Sequence, residues 1–123
     1  MNFNNNVPIY LQVMHSIKEQ IISGKLLPGD KLPSSREYSQ DLGLNFNTVA
    51  RVYKELEMEN IVFTKRGIGT FITESEDIIE DIRLEIANEL IDNFIRGMYK
   101  IGFNKENMIN LIKNSKIINE GNE

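Results

Sequence analysis

The sequence predicts a mainly α-helical fold with one small β-hairpin and a helical C-terminal tail. Apolar residues recur at three- and four-residue intervals through most of the chain, which is typical of amphipathic helices. Between Ile61 and Ile72 this period gives way to β-branched and aromatic residues around Gly67, which is typical of a hairpin. With 123 residues, the chain is long enough for one compact domain and a short appendage.

Three helices are predicted before the hairpin. Pro8 suits the first turn of helix 1, and Gly24 suits its end. Residues 34–37 (Ser-Ser-Arg-Glu) match a capping box at the start of helix 2, which Gly43 ends. Asn45 is the expected N-cap of helix 3. Helices 2 and 3, joined by a tight glycine-containing turn, form a helix-turn-helix, and the hairpin after them adds a wing.

The connecting segments also carry predictions. Pro28-Gly29 suits a type II turn between helices 1 and 2. We expect Tyr53 and Phe71 to lie in the core. The single histidine, His15, is expected to be structural or exposed to solvent on helix 1.

The chain after Thr73 is predicted to form two more helices, separated at Gly102, with Asn104 as the N-cap of the second. The predicted domains are therefore a winged helix-turn-helix over residues 1–73 and a helical tail over 74–123. Residues 114–123 are expected to fray. The tail carries more aliphatic surface than so small a unit buries alone. It either folds back onto the winged domain or, in the reading that we prefer, dimerises through Ile79, Ile82, Ile86, Leu90, Phe94, Met98, Met108, Leu111 and Ile112.

Composition excludes several classes of function. The chain has no cysteine and one histidine, so a disulfide framework, a thiolate metal site and a cysteine nucleophile are excluded. No glycine-rich phosphate loop is present, and we predict no enzyme activity, cofactor or metal. The apolar runs are far shorter than the ~20 residues that cross a bilayer. Without a signal-peptide pattern at the start, the protein is expected to be cytoplasmic and without a membrane partner.

The charge is divided unevenly along the chain. The net charge is −4, which by itself argues against a nucleic-acid partner. Residues 1–72 carry eight Lys/Arg and seven Asp/Glu, or +1, whereas residues 73–123 carry six and eleven, or −5. The acidity therefore lies in the tail, and the N-terminal part can still present a basic face.

Four segments occur in an order that is specific in combination. They are PIY at 8–10, LPGDKLPSSRE at 27–37, NTVARVYKELE at 47–57 and RGIGTF at 66–71. Through them, residues 7–72 closely resemble the N-terminal domain of GntR-family transcriptional regulators. The short helical tail is similar to that of the YtrA-type subfamily. That resemblance implies dimerisation through the tail and, in many members, control of transporter operons.

In a helix-turn-helix, the start of the second helix enters the major groove, and a basic wing meets phosphates or the minor groove. Arg51 has an alternative partner in Glu55, and Arg36 has alternatives in Asp30 and Glu37. Gly67 and Gly69 in the wing have an alternative explanation, because any tight hairpin favours glycine at such positions. The predicted DNA-binding residues are Ser35, Arg36, Asn45, Phe46, Asn47, Thr48, Arg51, Lys65, Arg66, Gly67, Gly69 and Thr70.

Phe46 departs from the family pattern, which has Arg, or Pro in this subfamily, at the equivalent position. An aromatic ring there either touches a thymine methyl group or shields the start of the helix. The base preference that follows from Phe46 is left open by the sequence.

The sequence thus predicts a homodimeric regulator, most simply a repressor, that binds double-stranded DNA at a palindromic operator. The alternative is a winged-helix module that binds other proteins and no DNA, which the acidic overall charge and the modest +1 of residues 1–72 both favour. The sequence identifies no effector small molecule. The tail is too small to enclose a sizeable ligand pocket in one subunit, although a dimer interface can form one.

Overall fold

The computed structural model describes residues 3–120 of the chain. It confirms the mainly helical fold with a two-stranded hairpin. The elements are α1 (Ile9–Ile22), α2 (Ser35–Leu42), α3 (Phe46–Met58), β1 (Val62–Lys65), β2 (Gly69–Ile72), α4 (Glu76–Lys100), α5 (Lys105–Lys113) and α6 (Lys116–Asn119).

The predicted caps of α2 are present. The Ser34 hydroxyl accepts a hydrogen bond from the backbone N–H of Glu37, and the Glu37 carboxylate accepts one from the backbone N–H of Ser34, both at 3.1 Å. Gly43 ends α2 in the left-handed conformation, with φ of 68°. Because this conformation is strained for residues with a Cβ atom, glycine allows the tight turn into α3.

Helix α3 lies against both α1 and α2 and forms the centre of the first core. Its apolar stripe is fully buried, which follows from the three- and four-residue spacing of the aliphatic side chains. The core side chains from α1 and α3 are Val13, Met14, Ile17, Ile21, Val49, Val52 and Leu56.

The hairpin is antiparallel, with Val62 opposite Ile72 and Lys65 opposite Gly69. The segment before α2 runs beside its second strand, a pairing that local sequence signals did not reveal. The backbone N–H of Leu32 donates to the Thr70 carbonyl, and that of Ile72 donates to the Asp30 carbonyl, both at 2.8 Å. The hairpin is therefore anchored to the loop that leads into α2.

The described residues fall into two compact units, one up to Leu84 and the other from Glu85 onward. This division lies inside α4, whereas the functional boundary predicted from the sequence follows Thr73. Ile82, in the first unit, is buried, so the start of α4 contributes to a core rather than to a free tail. The assignment of functions to 1–73 and 74–123 stays a prediction.

The second unit contains the rest of α4, α5 and α6. Asn104 and Asn107 form the predicted cap of α5, with reciprocal side-chain-to-backbone hydrogen bonds of 2.9 and 3.0 Å. The expected fraying from residue 114 was wrong in part, since Lys116–Asn119 form one helical turn. Residues 121–123 lie outside the described part of the chain. Within residues 3–120, no helix has the length and apolar character needed to span a bilayer.

Candidate nucleic-acid interface

The first turns of α3 present a row of polar side chains away from the core. The Asn45 side-chain oxygen accepts a hydrogen bond of 2.7 Å from the backbone N–H of Asn47, which fixes the start of the helix. Phe46, Asn47 and Arg51 are exposed, and Thr48 is half-buried. Because the side-chain oxygen of Asn45 accepts the capping hydrogen bond, its side-chain NH₂ group is left to donate hydrogen bonds to a ligand.

The guanidinium group of Arg51 lies over the ring of Tyr10, with 3.7 Å between its central carbon and the ring centroid. This is a cation–π contact between α3 and α1. Within the described residues, the alternative ion pair between Arg51 and Glu55 does not form. By its helical spacing from Val13, Met14 and Ile17, Tyr10 is an ordinary member of the apolar stripe of α1. Its contact with Arg51 links two helices, and helical periodicity carries no signal for such a pairing.

Arg36, on the first turn of α2, lies over the ring of Phe46, with 4.6 Å from its central carbon to the ring centroid. Its two alternative partners are engaged elsewhere. The Glu37 carboxylate accepts the capping hydrogen bond from the backbone N–H of Ser34, which holds the pKa of that carboxyl below its usual value. The Asp30 carboxylate accepts a hydrogen bond of 2.8 Å from the backbone N–H of Leu27. The guanidinium edge of Arg36 is therefore exposed to solvent beside the start of α3.

In the wing, the ammonium group of Lys65 lies over a pair of stacked rings. Phe63 and Phe71 face each other across the hairpin with their centroids 5.7 Å apart. The ammonium group of Lys65 lies 5.1 Å from the Phe71 centroid and 5.7 Å from that of Phe63. Arg66 follows at the exposed tip. Phe71, predicted to lie in the core, is half-buried and contributes a platform below the basic tip of the wing.

Gly69 permits a close approach between the wing and the loop before α2. A Cβ atom at this position would lie 2.6 Å from the Cε atom of Lys31, and the backbone φ of +150° is unfavourable for other residues. Gly67 has φ of +79° at the hairpin turn. The structure therefore gives both wing glycines a conformational role, and their predicted contacts with DNA stay a prediction.

The wing and the start of α2 border one open groove with a volume of about 560 Å³. The wing contributes Ile68, Gly69 and Thr70, and the start of α2 contributes Ser34 and Ser35. The groove thus brings the predicted contact residues Ser35, Gly69 and Thr70 together, beside the ammonium-bearing side chain of Lys31. Its open shape suits a chain with phosphate groups better than an enclosed small molecule.

Tyr53 ties α3 to the loop before α2. Its hydroxyl donates a hydrogen bond of 2.6 Å to the Pro33 carbonyl, and its ring lies 6.3 Å from that of Tyr38. Burial raises the pKa of the Tyr53 hydroxyl, so the group stays protonated and continues to donate. Tyr53 was predicted to lie in the core. In the structure it is half-buried, and its hydroxyl has a specific polar partner in the Pro33 carbonyl.

A Tyr53→Phe variant is expected to lose about 1 kcal/mol in free energy of unfolding, because the Pro33 carbonyl loses its donor. Urea unfolding followed by circular dichroism measures the change. Tyr99→Phe is the matched control, since Tyr99 is exposed and removal of its hydroxyl should leave stability unchanged. Equal losses in the two variants would show that the hydrogen bond to Pro33 contributes nothing specific.

The predicted dimerisation residues differ in exposure. Ile82 and Met108 are buried within one chain, which leaves them no surface for a partner. Ile79, Ile86 and Met98 are half-buried. The exposed members, which remain available, are Leu90, Phe94, Leu111 and Ile112.

The helix-turn-helix and the basic wing define a winged helix-turn-helix protein. Residues 9–72 match the model of the gntR family of bacterial regulatory proteins. The chain belongs to this GntR family, whose members are transcription regulators and not enzymes.

Two curated relatives cover nearly the whole chain. The HTH-type transcriptional regulator YhcF of Bacillus subtilis is 40% identical over 111 residues, which cover 90% of this chain and 92% of YhcF. The HTH-type transcriptional repressor YtrA of the same organism is 36% identical over 110 residues, covering 89% of this chain and 85% of YtrA. These matches confirm the resemblance to YtrA-type members over the tail as well as the winged domain.

Solved structures show the same fold. A GntR-family transcriptional regulator from Listeria monocytogenes superposes with a TM-score of 0.82 at 41% identity, covering 93% of this chain and all of that one. The DNA-binding domain of AraR, solved in complex with operator ORX1, has a TM-score of 0.52 at 31% identity. That match covers 55% of this chain and 81% of the AraR chain.

Proposed function

We propose that this GntR-family regulator is a homodimeric repressor that binds a palindromic operator. The observation that carries the proposal is the groove between the wing and the start of α2, which is bordered by three of the predicted contact residues, Ser35, Gly69 and Thr70. Cations on the wing and exposed polar side chains on α3 provide the two kinds of contact that such proteins make with DNA. The wing supplies phosphate contacts, and α3 supplies base contacts.

The AraR complex supports DNA binding by the winged domain. AraR binds an operator through a domain that is 31% identical to this chain over 55% of its length. In the present chain, Asn47 is exposed on the first turn of α3, where its amide can pair with adenine. The acidity of the whole chain lies in residues 73–123, which carry −5, while residues 1–72 carry +1, so the winged domain can present a local basic surface.

The exposed apolar face of the second unit supports a dimer made by a second copy of the chain. Leu90 and Phe94 lie one helical turn apart on α4, and both are exposed. A patch of this kind in a soluble protein marks an interface. Two copies related by a two-fold axis would present two recognition helices, which explains why the proposed operator is palindromic.

Repression is the regulatory outcome that we infer from the relative YtrA, which is named a repressor. A dimer bound over a promoter blocks access of the polymerase without any further domain. We also propose that the target is a transporter operon, as in many YtrA-type members. Genes for a permease and an ATPase next to the gene for this chain would support that target. Because an operator is chromosomal DNA, the proposed function implies a cytoplasmic protein.

The test is selection of binding sites from a randomised DNA pool by the wild-type protein, followed by fluorescence anisotropy on the selected duplex. We expect the selected sites to contain an inverted repeat with half-sites one helical turn apart, about 34 Å. The Lys65→Ala/Arg66→Ala double variant is expected to bind all duplexes more weakly. It should also reduce the slope of log affinity against log salt by about 2 per protomer, because two phosphate contacts are lost.

A matched control removes two cations from the polar side of α4, with Arg96→Ala and Lys100→Ala, and should leave affinity and salt slope unchanged. If the wild-type protein selects no sequence, or binds selected and scrambled duplexes equally, the operator function is contradicted. That result would favour the protein-interaction module instead.

A further inference from the structure

Phe46 is an exposed aromatic residue at a position where core packing does not explain it. It is the first residue of α3, and 38% of its surface is accessible. The apolar stripe of α3 lies on the other side of the helix and is formed by Val49, Val52 and Leu56. On its exposed side of the helix, the ring of Phe46 contacts the guanidinium group of Arg36, 4.6 Å from the ring centroid.

We propose that Phe46 is a positioning residue, which holds the guanidinium group of Arg36 in place for contact with DNA. The inference rests on the proposed DNA-binding function and deepens it. It also gives a physical meaning to the departure of Phe46 from the family pattern. The ring does not replace an arginine or a proline at this position; it orients an arginine that the preceding helix supplies.

The backbones on both sides of this contact are fixed by caps. Arg36 lies between Ser34 and Glu37, and the reciprocal hydrogen bonds of these two residues hold the first turn of α2. Phe46 lies between Asn45 and Asn47, which are joined by the N-cap hydrogen bond of 2.7 Å. The stack of Arg36 on Phe46 thus restrains the one flexible part that remains, the long arginine side chain.

Restraint of this side chain increases affinity because less rotamer freedom is lost on binding. A planar guanidinium group that stacks on a ring by its face keeps its N–H edge open. That edge is the part that pairs with guanine or with phosphate oxygens. Within residues 3–120, Arg36 forms no ion pair that would compete with such a contact.

The test is a double-mutant cycle with Phe46→Leu and Arg36→Ala, measured by anisotropy on the duplex that the wild-type protein selects. Phe46→Leu alone is expected to weaken binding about fivefold, consistent with a cation–π contact of ~1 kcal/mol. In the Arg36→Ala background, the same substitution should have almost no further effect, because the group that the ring positions is gone. Phe46→Tyr keeps the ring and should bind within about twofold of the wild type.

Thermal melting of each variant separates positioning from folding. Equal weakening by Phe46→Leu in the two backgrounds would overturn the positioning role, and so would failure of Phe46→Tyr to restore affinity. Those results leave the DNA-binding function intact, since the wild-type protein still binds. If the wild type selects no duplex, the proposed function fails, and the role of Phe46 fails with it.

Discussion

A chain that carries Leu90→Asp and Phe94→Asp is expected to be monomeric and to bind a palindromic duplex about 10²–10⁴-fold more weakly than the wild type. The two side chains lie one turn apart on α4, with 65% and 40% of their surfaces exposed. Two carboxylates at these positions would have to lose their hydration in any interface formed there, at a cost that no partner group offsets.

The size of the expected loss comes from linkage between two binding events. In a dimer, once the first recognition helix is bound, binding of the second helix is intramolecular. The second helix is therefore present at a high effective concentration near the second half-site. A monomer has only the affinity of one half-site. Sedimentation equilibrium measures the oligomeric state, and anisotropy on full-site and half-site duplexes measures the two affinities. The variant and the wild type should bind the half-site equally.

The matched control for this variant is Asn88→Asp with Arg96→Gln, which changes the net charge by the same two units at exposed positions of α4 that do not share the face of Leu90 and Phe94. It should remain dimeric and keep its operator affinity. A dimeric Leu90→Asp/Phe94→Asp variant would show that this face of α4 is not the interface. A monomeric variant with full affinity for the palindrome would show that dimerisation does not contribute to recognition.

The parts of the fold that were predictable are those encoded by short-range signals. The capping box at residues 34–37, the left-handed Gly43 and the N-cap Asn45 each depend on neighbours within four residues. The same holds for the hairpin turn, where Gly67 supplies a positive φ of 79°. These signals can be read without knowing the fold, because backbone groups at helix ends and turns require the same partners in any protein.

The parts that were missed are contacts between distant segments. Nothing near Lys31 in the sequence indicates that it pairs with Phe71 of the wing, and Tyr10 looks like an ordinary member of an apolar stripe until α3 brings Arg51 over it. The candidate site on α2, α3 and the wing stays a prediction from residue types. The aromatic partners of its cations depend on packing, which local patterns do not encode.

The largest expected effect on stability comes from the centre of α3. Leu56 is fully buried, with 0% of its surface exposed. Leu56→Ala removes this side chain from a core that α1 and α3 share, and the loss of burial adds to the cost of the cavity left behind. We expect a decrease of about 2–5 kcal/mol in the free energy of unfolding, measured by urea titration.

Met58→Ala is the matched control, because Met58 is on the same helix but 69% exposed. Its truncation should change the free energy of unfolding by less than about 0.5 kcal/mol. The difference between the two variants tests whether α3 is held by its buried stripe and not by its own helical propensity, since an isolated helix of this length is marginal in water. If Leu56→Ala were as stable as Met58→Ala, burial of Leu56 would not be what holds α3 and its exposed residues Phe46, Asn47 and Arg51 in place.

At low temperature, where the Leu56→Ala chain is still mostly folded, its operator affinity should approach that of the wild type. The substitution leaves the exposed side chains that are proposed to contact DNA unchanged. It lowers only the fraction of the protein that is folded.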